Sequence, residues 1–214
     1  NRFLKEFLPF ERRIAHYGVF NSLSQTLVKI TSPGVPDFYQ GSELWDLSLV
    51  DPDNRRPVDF GKRRDFLSGI KEMEKVDILK LIDELISTKE DGRIKLFLIY
   101  RALKARNERR ALFERGDYIR IRVRGRHSDH VLAFARRNRN EWSITVVPRF
   151  LTYLVKEDEF PIGREVWGDT SIVIPEDASS LWRDAFTDQT VKGRKKLAVG
   201  EVLKRFPVAL LLGE

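Results

Sequence analysis

The sequence predicts a helical first half followed by an antiparallel β-sandwich. Two observations carry this. Apolar residues recur at three-to-four spacing through most of residues 3–113, the helical period, and after Gly116 the spacing drops to two. In addition, several short apolar runs separated by turn residues fill 118–212, as sandwich strands do. A domain boundary is therefore expected near Gly116, giving segments 1–115 and 116–214.

The first helical stretch is 3–30, with Phe3, Phe7, Phe10, Ile14, Tyr17, Leu23, Leu27 and Ile30 on one face. Pro9 and Gly18 are expected to break it, with Asn21 or Ser22 capping the second piece, and Thr31-Ser32-Pro33-Gly34 to end it. Residues 35–39 form a short strand candidate, Pro36 being tolerable near a strand's start. From Gln40 to Phe60 the periodicity vanishes and turn formers accumulate, and a long ordered loop of this kind is usually functional. Residues 65–87 read as one or two amphipathic helices and 94–113 as another. The strand candidates are 118–123, 131–135, 142–147, 171–174, 181–186 and 208–212.

Composition narrows the function classes. Of 214 residues, 42% are hydrophobic, enough for a real core, and no run approaches the roughly 20 apolar residues of a membrane span. No signal peptide and no initiator Met are visible, so the chain reads as a fragment, a processed product or a trimmed one. The absence of Cys excludes disulfides and thiolate metal sites and suits a reducing compartment. A charged fraction of 33% with one Met fits thermophile usage.

The net charge of +7 invites a nucleic-acid reading, but 32 acidic residues intersperse with 39 basic ones. The strongest basic run, 120–126, alternates Arg with aliphatic residues that would face a core, so no nucleic-acid partner is expected. The Asp46, Asp51, Asp53 cluster lacks the Gly and Glu of a calcium loop, and His16, His127 and His130 lack zinc spacing. No metal or cofactor is expected.

Residues 34–43 have the form G-x-P-x-x-x-x-G-x-E, which resembles the eighth strand of the α-amylase superfamily's (β/α)8 barrel. The following run, LWDLSLVDPDNRRPVD over 44–59, resembles the corresponding loop of maltooligosyl trehalose synthases almost letter for letter. Asn21-Ser22-Leu23 with Gln25, the 101–113 helix and the 131–135 and 142–148 stretches fit that family too. The resemblance implies that 1–115 is the terminal portion of a catalytic (β/α)8 barrel with a helical insertion, followed by the C-terminal sandwich. It implies a cytoplasmic enzyme that turns the reducing-end α-1,4 linkage of a maltooligosaccharide into an α,α-1,1 linkage. The chemistry would be that of a retaining glucosidase in which the released sugar, not water, attacks. In the family the catalytic carboxylates lie on earlier barrel strands, so no catalytic residue is assigned here and the missing N-terminal barrel portion becomes an expected partner.

The candidate substrate-binding residues are Tyr39, Gln40, Glu43, Asp53, Asn54, Arg55 and Arg56. Each has an alternative role. Arg55 and Arg56 offer guanidinium forks to sugar hydroxyls or to a catalytic carboxylate, or lock the loop by pairing with Asp46, Asp51, Asp53 or Asp59. Asp53 and Asn54 bond glucose or close turns. Tyr39 and Trp45 stack on sugar faces or pack inside, while Gln40 contacts sugar and Glu43 supports the arginines. Two other readings stay open: a different α-amylase superfamily hydrolase or transglucosylase, and a non-catalytic carbohydrate-binding module.

Overall fold

The structure, a computed structural model, describes residues 1–157 and 159–214. Five helices come first: α1 (Arg2–Thr31), α2 (Phe60–Val76), α3 (Ile78–Ser87), α4 (Arg93–Glu108) and α5 (Arg110–Arg115). Strands β1 (Asp117–Arg120), β2 (Val123–Arg124), β3 (Val131–Asn138) and β4 (Glu141–Pro148) follow. After the short helix α6 (Gly163–Trp167) come β5 (Ser171–Val173), β6 (Leu181–Asp184), β7 (Thr190–Lys192) and β8 (Lys196–Ala198). The one-turn helix α7 (Val199–Val202) and β9 (Ala209–Gly213) complete the chain.

The strands make an antiparallel six-stranded sheet, ordered β1-β3-β4-β9-β6-β7, and a three-stranded sheet, β2-β5-β8. Helices cover one face of the larger sheet and the smaller sheet covers the other. Alternation along the strands divides the core accordingly. Val147, Leu210 and Leu212 join the cluster built on Leu27, Phe97 and Leu85 from the helices. Val146, Ala209 and Leu211 join Trp167, Ile172 and Leu197 on the opposite side. A strand buried on both faces needs no polar side, which is why β9 opens with four consecutive apolar residues. Among the described residues, no helix is long and apolar enough to cross a membrane.

Three local expectations are corrected. Helix α1 runs unbroken through Pro9 and Gly18, and Asn21 and Ser22 lie inside it; the cap is Asn1, which accepts from the Phe3 N–H at 3.0 Å. Pro9 is exposed, so water can serve the carbonyl that proline leaves unbonded, and one Gly costs a helix only about 1 kcal/mol. The 118–123 run divides between the two sheets at Ile121-Arg122 instead of forming one strand. Residues 35–39 join no sheet: among the described residues no strand lies alongside, and a ladder exists only through a neighbour.

Charged side chains fix how α1 delivers the segment after it. Buried Arg136 of β3 donates to the Thr31 carbonyl at 3.1 Å and the Gly116 carbonyl at 2.7 Å. Arg106 of α4 donates to the carbonyls of Ile30 (2.7 Å) and Gly34 (2.6 Å). Carbonyls left over at a helix C-terminus are thus bonded to cations, the favourable sign for the helix dipole.

Asp184, at the end of β6, is 3% exposed and accepts from the Phe186 N–H (3.2 Å) and the Thr187 hydroxyl (2.9 Å). Burial outweighs these bonds and lifts its carboxyl from 3.8 to about 6. The folded state therefore holds this proton more tightly than the unfolded chain does. Its contribution to stability is present at low pH and is lost as pH rises from 3.8 to about 6. Thermal unfolding of the wild type should fall by a few degrees relative to Asp184→Asn across that window. Parallel pH profiles for the two proteins would contradict this.

Candidate functional site

The loop between α1 and α2 is built as a closed unit, and its clamp is a residue outside the motif. Gly41 turns the chain with φ +92°, a conformation that side chains with a Cβ rarely adopt. At the loop's far end Asp59 caps α2, accepting from the Lys62 N–H at 2.9 Å. Arg63, in the first turn of α2, then reaches back across the base. Its Nη2 donates to the Gly41 carbonyl (2.6 Å), its Nη1 to the Asp59 carbonyl (3.0 Å), and its Nε to Glu43 (3.0 Å). Glu43 also accepts from the Gly41 N–H at 3.0 Å. One guanidinium thereby fastens both ends of the loop, a task its planar fork suits.

Within the loop, short-range bonds set the shape. Leu44 is buried, and Trp45 is half-buried with its indole N–H donated to the Lys89 carbonyl at 2.7 Å. Asp46 accepts from the Ser48 N–H (3.0 Å), and bonding by Ser48 holds its carboxyl below the usual range. Asp53 accepts from the Leu49 N–H at 2.8 Å and pairs with Arg56. Arg55 pairs with Asp51 through Nη2 at 2.7 Å. Leu47, Leu49 and Val50 are left exposed at the tip.

The candidate residues fall into groups. Tyr39 and Asn54 meet, the Tyr39 hydroxyl donating to the Asn54 carbonyl at 3.4 Å. Asn54 Oδ1 is out of solvent and, among the described residues, meets no donor. Arg55 and Arg56 lie exposed on the loop, each tied to an aspartate, while Gln40 is exposed in the turn after Tyr39. Glu43 belongs to the clamp with Arg63, not to Arg55 or Arg56. Arg63 is the residue the sequence reading missed. Its only signal is its position four residues after the Asp59 cap, which turns its side chain toward the loop's base.

No protein-family profile matches the chain. A curated relative from Mycobacterium tuberculosis (strain CDC 1551 / Oshkosh), described as a putative maltooligosyl trehalose synthase, is 33% identical over 192 residues. That match covers 90% of this chain and 20% of the relative. The maltooligosyltrehalose synthase structure from Arthrobacter ramosus superimposes on all of the chain with a TM-score of 0.74 and 32% identity. The chain resembles the C-terminal part of maltooligosyl trehalose synthases. It spans about a quarter (24%) of the Arthrobacter chain. An Anoxybacillus α-amylase matches 92% of the chain with a TM-score of 0.52 at 13% identity, a likeness of fold alone. The helices followed by an antiparallel sheet are thus an arrangement found in maltooligosyl trehalose synthases and in an α-amylase.

Proposed function

We propose that the chain forms the C-terminal part of an enzyme that rearranges the reducing end of a maltooligosaccharide, turning the terminal α-1,4 linkage into α,α-1,1. The observation that carries this reading is the clamped loop 41–59, whose sequence resembles the synthase loop, inside a chain similar to synthases along its whole length. In this reading residues 1–115 complete a (β/α)8 barrel, with 35–39 becoming its last strand once neighbouring strands are present, and 116–214 form the sandwich domain. Barrel active sites lie at the C-terminal ends of the strands, which places Tyr39 and the loop at the substrate cleft.

The surface supports a larger assembly. Phe3, Phe7, Phe10 and Ile14 lie on one face of α1 and are 43–63% exposed. An apolar stripe of this extent fits coverage by another part of the enzyme. The catalytic carboxylates would be supplied by that part, in the cytoplasm. The loop of this chain would enclose the cleaved sugar, so that its hydroxyl attacks the glycosyl-enzyme ahead of water. Tyr39, Gln40, Asp53, Asn54, Arg55 and Arg56 are assigned to sugar contact, with Glu43 holding the turn that carries them.

Complementation tests the assignment. The preceding barrel portion, expressed separately, should consume maltopentaose only when this chain is added. Full activity without the chain, or none with it despite a stable complex, would refute the proposal.

A further inference from the structure

We propose that the open pocket lined by α1, the 38–42 turn and α4 is a binding site for a small tetrahedral oxyanion, held between Lys29 and Lys95. The cavity measures about 240 Å³, several times the roughly 30 Å³ share of one water. Its α1 wall carries Ser22, Gln25, Thr26 and Lys29, at i, i+3, i+4 and i+7, so they lie on one helix face. Thr26 is buried and Ser22 half-buried at the floor of the pocket, while Gln25 and Lys29 stand exposed at its rim.

The opposite wall brings in Lys95 from α4. It is half-buried, yet among the described residues no carboxylate lies within 4.0 Å of it or of Lys29. Lys95 Nζ makes one long contact with the Leu44 carbonyl, 3.4 Å, and sits over the Trp45 ring at 5.6 Å. Lys29 Nζ sits over the Phe38 ring at 4.0 Å. An ammonium carries three donors, so most of this pair's hydrogen-bonding capacity meets no protein acceptor. Burial first, and then the charge of Lys29, push the Lys95 ammonium below its ordinary value, while the charges of Asp46 and Glu43 act the other way. An oxyanion would supply acceptors in several directions and neutralise the repulsion between the two lysines. Lysine serves as a point-charge binder of phosphate in just this manner.

Calorimetric titration of the purified chain with inorganic phosphate, at ionic strength held constant with potassium chloride, tests the site. Saturable one-site binding is expected, weakened by about tenfold or more in both Lys29→Gln and Lys95→Gln. Circular dichroism verifies that each variant is folded. In the wild type, the Lys95 Nζ resonance should titrate at higher pH with phosphate than without, because the anion favours the charged form; this reading needs no variant. A hexose 6-phosphate titration identifies the source: tighter binding than phosphate assigns a sugar phosphate, equal binding the free anion. Absence of saturable binding by the folded wild type, or unchanged affinity in both variants, would overturn the proposal.

Discussion

Replacing Arg101 with Ala will lower the unfolding free energy by about 3–5 kcal/mol, as expected when a buried ion pair loses one partner. Arg101 of α4 has a side chain only 6% exposed and joins three elements. Its Nε donates to the Ala185 carbonyl at 2.6 Å, and its Nη2 to Asp188 at 2.7 Å, in the turn between β6 and β7. Its Nη1 pairs with Glu74 of α2, whose side chain is 14% exposed. The helical layer is therefore fastened to the sheet through one guanidinium. Truncation leaves Glu74 and the Ala185 carbonyl poorly solvated and without their main donor, and that penalty, more than the lost attraction, sets the size of the effect. Combining Arg101→Met with Glu74→Gln should recover part of the loss, since neither uncompensated charge then remains. Urea unfolding followed by far-UV circular dichroism measures both. A loss below about 1 kcal/mol in the single variant would mean the network is merely peripheral.

The second large effect is expected at Arg63. In the complete enzyme, Arg63→Ala should lower turnover by about a hundredfold, because a loop displaced by about 1 Å misplaces the groups that hold the substrate. Lys at this position should rescue only partly: a point charge reaches Glu43 but cannot also serve the Gly41 and Asp59 carbonyls with a fixed fork. Arg55 and Arg56 provide the contrast. Their side chains are 71% and 77% exposed, so Arg55→Ala and Arg56→Ala should cost under about 1 kcal/mol of stability. A fall in turnover with stability kept would assign them to sugar enclosure, and a fall in stability alone would assign them to holding the loop. Unchanged kinetics in Arg63→Ala would remove the clamp from the functional account.

The helical half and the sheet half were legible because periodicity reports which face of an element is buried. Asp77 illustrates the rest. It ends α2 and, by accepting from Leu79 and Lys80 at 3.0 and 3.1 Å, caps α3, which turns the ambiguous 65–87 stretch into two helices. Pro9 misled in the opposite direction, since a proline on an exposed face leaves a carbonyl that water can satisfy. Strands β7 and β8 were too short, at three residues each, to show alternation. The buried charges Arg101, Arg136 and Asp184 were invisible, because a charged residue in sequence reads as surface until its partners are known. Arg63 was hidden for the same reason: 22 residues separate it from Gly41, and only the fold brings them together. The motif at 41–59 was legible as a resemblance, whereas the bonds that shape it were not.

The most direct test is the linkage formed when the chain and the preceding barrel portion act together on maltopentaose. Proton NMR of the products should show a growing α,α-1,1 anomeric signal with loss of the reducing-end signals and little free glucose. Glucose as the main product, with the reducing ends of the shortened glucans intact, would contradict the rearrangement and leave the chain as part of a hydrolase.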